Sequence, residues 1–216
     1  MVHPVKLVVK DLSVARGGRT IISNLSLTLN SGEALLLTGA NGAGKTTLIR
    51  AIAGLLDPAA GQIDLDNGSS DDRNLAQQSH YAGHLNGLKP SLSVAENLQF
   101  WADYLPEQRE VNGTGRLDAA LARLNLEALR DIPAAYLSAG QKRRAGLARI
   151  LMADRPLWLL DEPTTSLDAA SVALVCALVE AHRTSGGMAI IATHAPLAIA
   201  APRTLHLSGA TAAQAA

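Results

Sequence analysis

Apolar and polar residues alternate strictly through Leu25-Ser26-Leu27-Thr28-Leu29, the period of a half-exposed strand. Upstream, Val5–Val14 is rich in apolar and β-branched residues, and Gly17-Gly18 offers a hairpin turn between the two runs. Two paired strands, Val5–Val14 and Thr20–Leu29, are therefore expected to open the chain. Ser31-Gly32 makes the next turn, and Ala34–Leu37 is a short apolar strand that ends in a glycine-rich loop. A helix is predicted over Lys45–Ala53, closed by Gly54. The middle third has helical spacing over Ser93–Tyr104, Arg116–Leu126 and Ser138–Met152, with Ser93 and Glu96 in a capping-box pattern. The last third alternates strand and helix: Leu157–Leu160, Ala169–Arg183, Met188–Ala192, and a short strand near Thr204–Leu207. Such alternation predicts a mainly parallel sheet. The polar stretches Asp66–Asn74 and Pro106–Gly115 read as loops, and the small-residue tail from Ala210 is expected to fray. There is no internal repeat. The expected architecture is α/β, with an antiparallel N-terminal element and an inserted helical subdomain. In residues, a single domain over 1–216 divides into a core of 1–84 and 151–208, helices over 85–150, and a tail of 209–216.

Composition narrows the classes of function. The chain has 216 residues, the size of one domain with at most a subdomain. With 48% hydrophobic and 18% charged residues it has a globular balance. Lysines and arginines number 19, as do aspartates and glutamates, so the general attraction that nucleic-acid and membrane-surface binders use is missing. The single cysteine, Cys176, can make neither an internal disulfide nor a Cys-based zinc site, and it reads as a small core residue. No Cys-x-x-Cys-His motif occurs, which excludes covalent haem attachment. The longest apolar run, Val172–Val179, falls well short of the ~18 residues of a spanning helix, and Met1-Val2-His3-Pro4 begins no secretory signal. A soluble, cytoplasmic chain is expected.

Gly39-Ala40-Asn41-Gly42-Ala43-Gly44-Lys45-Thr46 fits the phosphate-loop pattern and sits between a predicted buried strand and a predicted helix, as that motif requires. The core is thus expected to be that of a P-loop NTPase. Its glycines let backbone N–H groups turn inward around phosphates, and the helix start adds positive dipole. Lys45 is expected to reach the β- and γ-phosphates, Thr46 to ligate Mg²⁺, and Thr47 to donate on the α-phosphate side. A nucleotide and Mg²⁺ are the expected ligands. Asp161-Glu162 follow the apolar run Leu157-Trp158-Leu159-Leu160, at the carboxyl end of a strand, where α/β sheets bind ligands. Asp161 is expected to hold Mg²⁺, often through water, and Glu162 to orient or deprotonate the attacking water.

With Leu137-Ser138-Ala139-Gly140-Gln141, which matches a Leu-Ser-Gly-Gly-Gln signature with Ala139 for one glycine, the chain resembles the ATP-binding-cassette (ABC) ATPases. Pro163-Thr164-Thr165-Ser166-Leu167-Asp168 is similar to that family's D-loop and Thr193-His194 to its switch histidine; the motifs run in family order along essentially the whole chain. The resemblance implies a head-to-tail homodimer with ATP sandwiched between subunits, held on the Lys45 loop of one and capped by Ser138 and Gly140 of the other. It also implies that His194 contacts the γ-phosphate. Two positions depart from the family. His84 stands where the Q-loop glutamine is usual: either it bridges Mg²⁺-bound water and the partner interface or it is a loop histidine. Near the adenine, Arg16 takes the place of an aromatic residue, and either stacks or is solvated on its hairpin. The run Lys142-Arg143-Arg144 is expected to be a solvated face or part of the ATP interface, not a nucleic-acid patch.

Lys45 and Ser138 lie 93 residues apart, too close for the long coiled-coil insertion of DNA-repair relatives. Tyr81-Ala82-Gly83-His84-Leu85-Asn86-Gly87-Leu88-Lys89, the Leu137–Arg144 segment and the short tail together resemble the ATP-binding subunits of the haem exporter in cytochrome c biogenesis. That resemblance implies an ATPase on the cytoplasmic face of the bacterial inner membrane, attached through integral-membrane permease subunits. There it would couple ATP hydrolysis to haem export or release of a haem-loaded chaperone. Phe100, Trp101 and Tyr104 share one predicted helix and form either a docking site for a membrane subunit or the core of the helical subdomain. An ATPase subunit of a lipid, drug or small-solute exporter, and a nucleotide-gated regulator without turnover, are the alternatives.

Overall fold

The structure, a computed structural model, describes residues 5–66, 75–105 and 113–208. Strands β1 (Lys6–Arg16), β2 (Arg19–Asn30) and β4 (Ala60–Asp66) form an antiparallel sheet in the order β2-β1-β4. The period-two pattern is realised: Leu25, Leu27 and Leu29 are buried and face Leu12, Val9 and Leu7 across the β1–β2 ladder. Strand β4 adds Ile63 and Leu65 opposite Val9 and Leu7. It has no place among the strands expected from sequence, because its other residues, Ala, Gly, Gln and Asp, carry little strand preference.

The second sheet runs β5-β6-β7-β3-β8, from β3 (Ala34–Thr38), β5 (Ser79–Ala82), β6 (Leu157–Asp161), β7 (Met188–Ala192) and β8 (Arg203–His206). The pairs β6–β7, β7–β3 and β3–β8 are parallel. Strands β6 and β7 are buried at every position, which is why they read as unbroken apolar runs rather than as alternation. Helix α1 (Lys45–Ile52) packs on β6 and β7 of this sheet and on β1 and β2 of the other. Leu48, Ile49 and Ile52 are sealed between them, in one core with Leu7, Leu29, Leu35 and Ile190.

Chain contacts separate two compact units. One holds Met1–Tyr81, Arg155–Glu162 and Val179–Ala216; the other holds Ala82–Asp154 and Pro163–Leu178. The second unit is built on α2 (Val94–Tyr104), α3 (Gly113–Arg123) and α4 (Ala139–Ala148), together with the first part of α5 (Ala169–Thr184). Its interior includes Leu98, Leu117, Leu121, Leu124 and Leu147. Helix α2 starts on the expected capping box: Ser93 Oγ accepts from the Glu96 amide at 3.1 Å and Glu96 Oε2 accepts from the Ser93 amide at 2.7 Å.

Three expectations are corrected. Helix α3 begins at Gly113, inside the stretch read as the loop Pro106–Gly115; the glycines at 113 and 115 carry low helix preference, so the first turn leaves no helical signal in the sequence. The helix expected over Ser138–Met152 stops at Ala148 and tightens into a 3₁₀ turn over Arg149–Leu151. Asp66 closes β4 rather than opening a loop. The rest of that loop, residues 106–112 and the tail from Ala210 lie outside the described residues.

Candidate nucleotide site

Register brings the motifs together. Asp161 of β6 is level with Ala192 of β7, and Ala192 is level with Leu37 of β3. The Glu162 amide donates to Ala192 O at 2.9 Å and the Thr193 amide to Leu37 O at 3.2 Å. Three neighbouring parallel strands therefore end on one line, and the phosphate loop, the acidic pair and Thr193-His194 emerge side by side within one compact unit. The carboxyl ends of such strands are where α/β sheets bind ligands.

In the loop, Gly39, Gly42 and Gly44 have φ of +132°, +81° and +107°, values that L side chains rarely adopt. Gly39 also lacks room: a Cβ there would sit 2.2 Å from Leu207 O. Lys45 is buried and folded back, with Nζ donating to Gly39 O at 2.7 Å and Ala40 O at 3.1 Å. Helix α1 has no side-chain cap at Gly44, so its first amides are left for an anion. Asn41 and Gly42 are exposed, Ala43 and Gly44 buried, and Thr46 and Thr47 half-buried.

Thr46 Oγ1 donates to Asp161 Oδ1 at 3.1 Å, and Asp161 is 1% exposed. A hydroxyl and a carboxylate are hard oxygen donors that suit Mg²⁺, an ion that leaves most of its shell to water and substrate phosphates. Glu162 follows with a left-handed backbone, φ +52°. Its Oε1 lies 3.1 Å from Nε2 of His194, whose side chain is 48% exposed. Thr193 shapes that turn: its hydroxyl donates to Ala195 O at 3.0 Å and accepts from the Ala195 amide at 3.1 Å. From the last turn of α1, Arg50 Nε donates to the Tyr81 hydroxyl at 3.4 Å, the bond that chiefly holds the guanidinium above its usual range.

His84, Ser138 and Gly140 belong to the helical unit. Ser138 is the N-cap of α4, in a second capping box: its Oγ accepts from the Gln141 amide at 3.2 Å, and Gln141 Oε1 accepts from the Ser138 amide at 2.8 Å. The spacing Ser-x-x-Gln was visible in the sequence as this signal. His84 is exposed, in the loop after β5. Asp168 caps α5, and bonds from the Ser171 hydroxyl and amide hold its carboxyl below the usual carboxylate range. Arg16 is exposed at the end of β1.

The basic run is not a solvated face. Lys142 Nζ donates to Ala135 O, Arg144 donates to Leu124 O and Asn125 O, and Arg143 is buried among carbonyls. Residues 100° apart on a helix point in different directions, so consecutive cations need not share one face. Of the aromatic trio, Phe100 (56%) and Tyr104 (68%) are exposed, whereas Trp101 is half-buried beneath the Arg149 guanidinium.

Among known proteins, residues 22–165 match the ABC transporter family. The cytochrome c biogenesis ATP-binding export protein CcmA of Rhodopseudomonas palustris HaA2 is 50% identical over 190 residues, 88% of this chain and 92% of that protein. The CcmA of Rhodobacter capsulatus is 50% identical over 202 residues, 94% of this chain and 87% of that one. Among solved structures, an ABC transporter ATP-binding protein of Pyrococcus furiosus superposes with a TM-score of 0.79 at 25% identity, over 94% of this chain and 97% of that chain. CbiO1 of Clostridium perfringens, part of the ABC transporter complex CbiONQ, does so with a TM-score of 0.72 at 30% identity, over 88% and 78%. With the phosphate loop, acidic pair and histidine emerging together from one sheet edge, and with half its residues shared with such relatives, the chain belongs to the ABC transporter ATPases, in the family of the cytochrome c biogenesis ATP-binding export proteins.

Proposed function

We propose that this chain is the ATP-hydrolysing subunit of a membrane ABC complex, coupling ATP binding and hydrolysis to haem export or release of a haem-loaded chaperone in c-type cytochrome biogenesis. The loop backbone over Gly39–Gly44, with Lys45, Thr46 and Thr47, binds the phosphates. Thr46 and Asp161 hold Mg²⁺, which neutralises charge on the β- and γ-phosphates when bound. Glu162 orients the attacking water and takes its proton, and His194 contacts the γ-phosphate. Two copies pair head to tail, so that Ser138 and Gly140 of one cap the ATP held by the other, and His84 would take the role of the Q-loop glutamine. The assembly docks on integral-membrane permease subunits at the cytoplasmic face of the inner membrane, and the exposed rings of Phe100 and Tyr104 supply apolar surface for that contact. No helix among the described residues is long and apolar enough to cross a membrane.

The observation that carries this reading is the register of β3, β7 and β6: Leu37, Ala192 and Asp161 are level, so the strands that lead into the phosphate loop, Thr193-His194 and Glu162 end together. Glu162→Gln tests it. The amide keeps the shape but cannot accept a proton, so ATP should bind as in the parent while turnover falls ~10²–10⁴-fold. In cells the variant should still assemble with its membrane partner but mature no c-type cytochrome. Parental turnover by the variant would assign water activation elsewhere, with His194 next to test.

A further inference from the structure

Arg143 and Lys45 are the buried arginine and lysine among the described residues. Lys45 lies in the phosphate loop; Arg143 lies just after the Leu137–Gln141 signature and has no assigned role at the nucleotide. A guanidinium is kept out of water only where carbonyl or carboxylate oxygens replace it, and Arg143 has acceptors on two separate segments. Its Nε donates to Pro163 O at 3.1 Å, in the turn that leaves Glu162. Its Nη1 donates to Gly83 O at 2.7 Å and reaches Asn86 Oδ1 at 3.3 Å, on either side of His84.

The same helix meets both segments again. A Cβ at Gly146 would fall 2.7 Å from Asn86 Cβ and 2.8 Å from Asn86 O, so the His84 loop lies directly on the α4 backbone. A Cβ at Gly140 would fall 3.0 Å from Ser166 O, so the start of α4 lies against the Pro163–Asp168 turn. The far end of the loop is held by buried Asn97, whose side chain accepts from the Lys89 amide at 2.7 Å and donates to Lys89 O, Leu92 O and Ser93 O.

We propose that Arg143 is a positioning residue for ATP capture: it locks the His84 loop and the Pro163 turn onto the helix that carries Ser138 and Gly140, so that the three move as one body. This rests on the sandwich reading above, in which Ser138 and Gly140 cap the nucleotide of a second copy. Only the planar fork of arginine serves acceptors in several directions at once; lysine keeps the charge but presents it from a single point.

The test compares Arg143→Lys and Arg143→Met in full-length Glu162→Gln protein, in which bound ATP persists. Per chain, ATP-binding stoichiometry and affinity, measured below the dimerisation range, should stay within twofold of the Glu162→Gln parent. The protein concentration for half-maximal ATP-dependent dimerisation, read by size-exclusion chromatography, should rise ~10-fold or more. Should the methionine variant fail to fold, the lysine variant decides. Dimerisation within twofold of the parent overturns the proposal, and so does a parallel loss of nucleotide binding, which marks general damage. A Glu162→Gln parent that stays monomeric with ATP overturns the sandwich itself.

Discussion

At the scale of single residues, the phosphate loop divides its glycines by what each tolerates. Gly39→Ala adds a Cβ 2.2 Å from Leu207 O at φ +132°, combining backbone strain with overpacking, and should cost on the order of 3 kcal/mol. Gly42→Ala, at φ +81° with nothing within 4 Å of the new Cβ, should cost only about 1 kcal/mol. Urea titration of the two variants measures the difference, and equal losses would show that packing against Leu207 contributes nothing. The spacing of Gly39, Gly44, Lys45 and Thr46 was legible in the sequence because the motif is local. The contact between Thr46 and Asp161 was not, since it spans 115 positions and depends on strand order. Nor was the burial of Arg143, whose neighbours Lys142 and Arg144 made the run look like surface.

At the scale of elements, the strand and helix ends that carry chemistry follow local rules. Ser93→Ala removes the cap of α2 and should destabilise the fold by about 1 kcal/mol, checked by denaturant titration. The Ser93 amide and hydroxyl hold the Glu96 carboxyl below its ordinary range. A carboxyl depressed in the folded state stabilises in full above the unfolded-state range, and that stabilisation is lost as pH falls through the folded value. Asp168, held down by Ser171, follows the same sign. Stability curves of the parent and of Glu96→Gln should therefore stay apart above the ordinary carboxylate range and converge on acidification below it; a gap that persists well below that range would remove the box from the acid response. Elements with strong periodicity, such as β2, α2 and β7, could be read directly. Strand β4 could not, because an edge strand with two inward apolar residues has almost no pattern, and β5 is only four residues long.

At the scale of the whole molecule, the proposed dimer makes activity depend on concentration. Hydrolysis by the isolated chain should be slow and should rise more than linearly with protein concentration. Ser138→Arg in one copy should silence the site on its neighbour, measured in mixed dimers; two working sites there would rule out head-to-tail capping. Stability is also a property of the whole chain, and Glu162 bears on it. Its φ of +52° is a conformation that costs a non-glycine residue roughly 1–2 kcal/mol and that asparagine accepts more readily. Glu162→Asn should therefore raise the unfolding midpoint even as it ends turnover, checked by thermal melts beside ATPase assays. If Glu162 activates water as proposed, the most durable version of this fold would then be a dead enzyme, and selection for heat resistance alone would drift away from glutamate at that position.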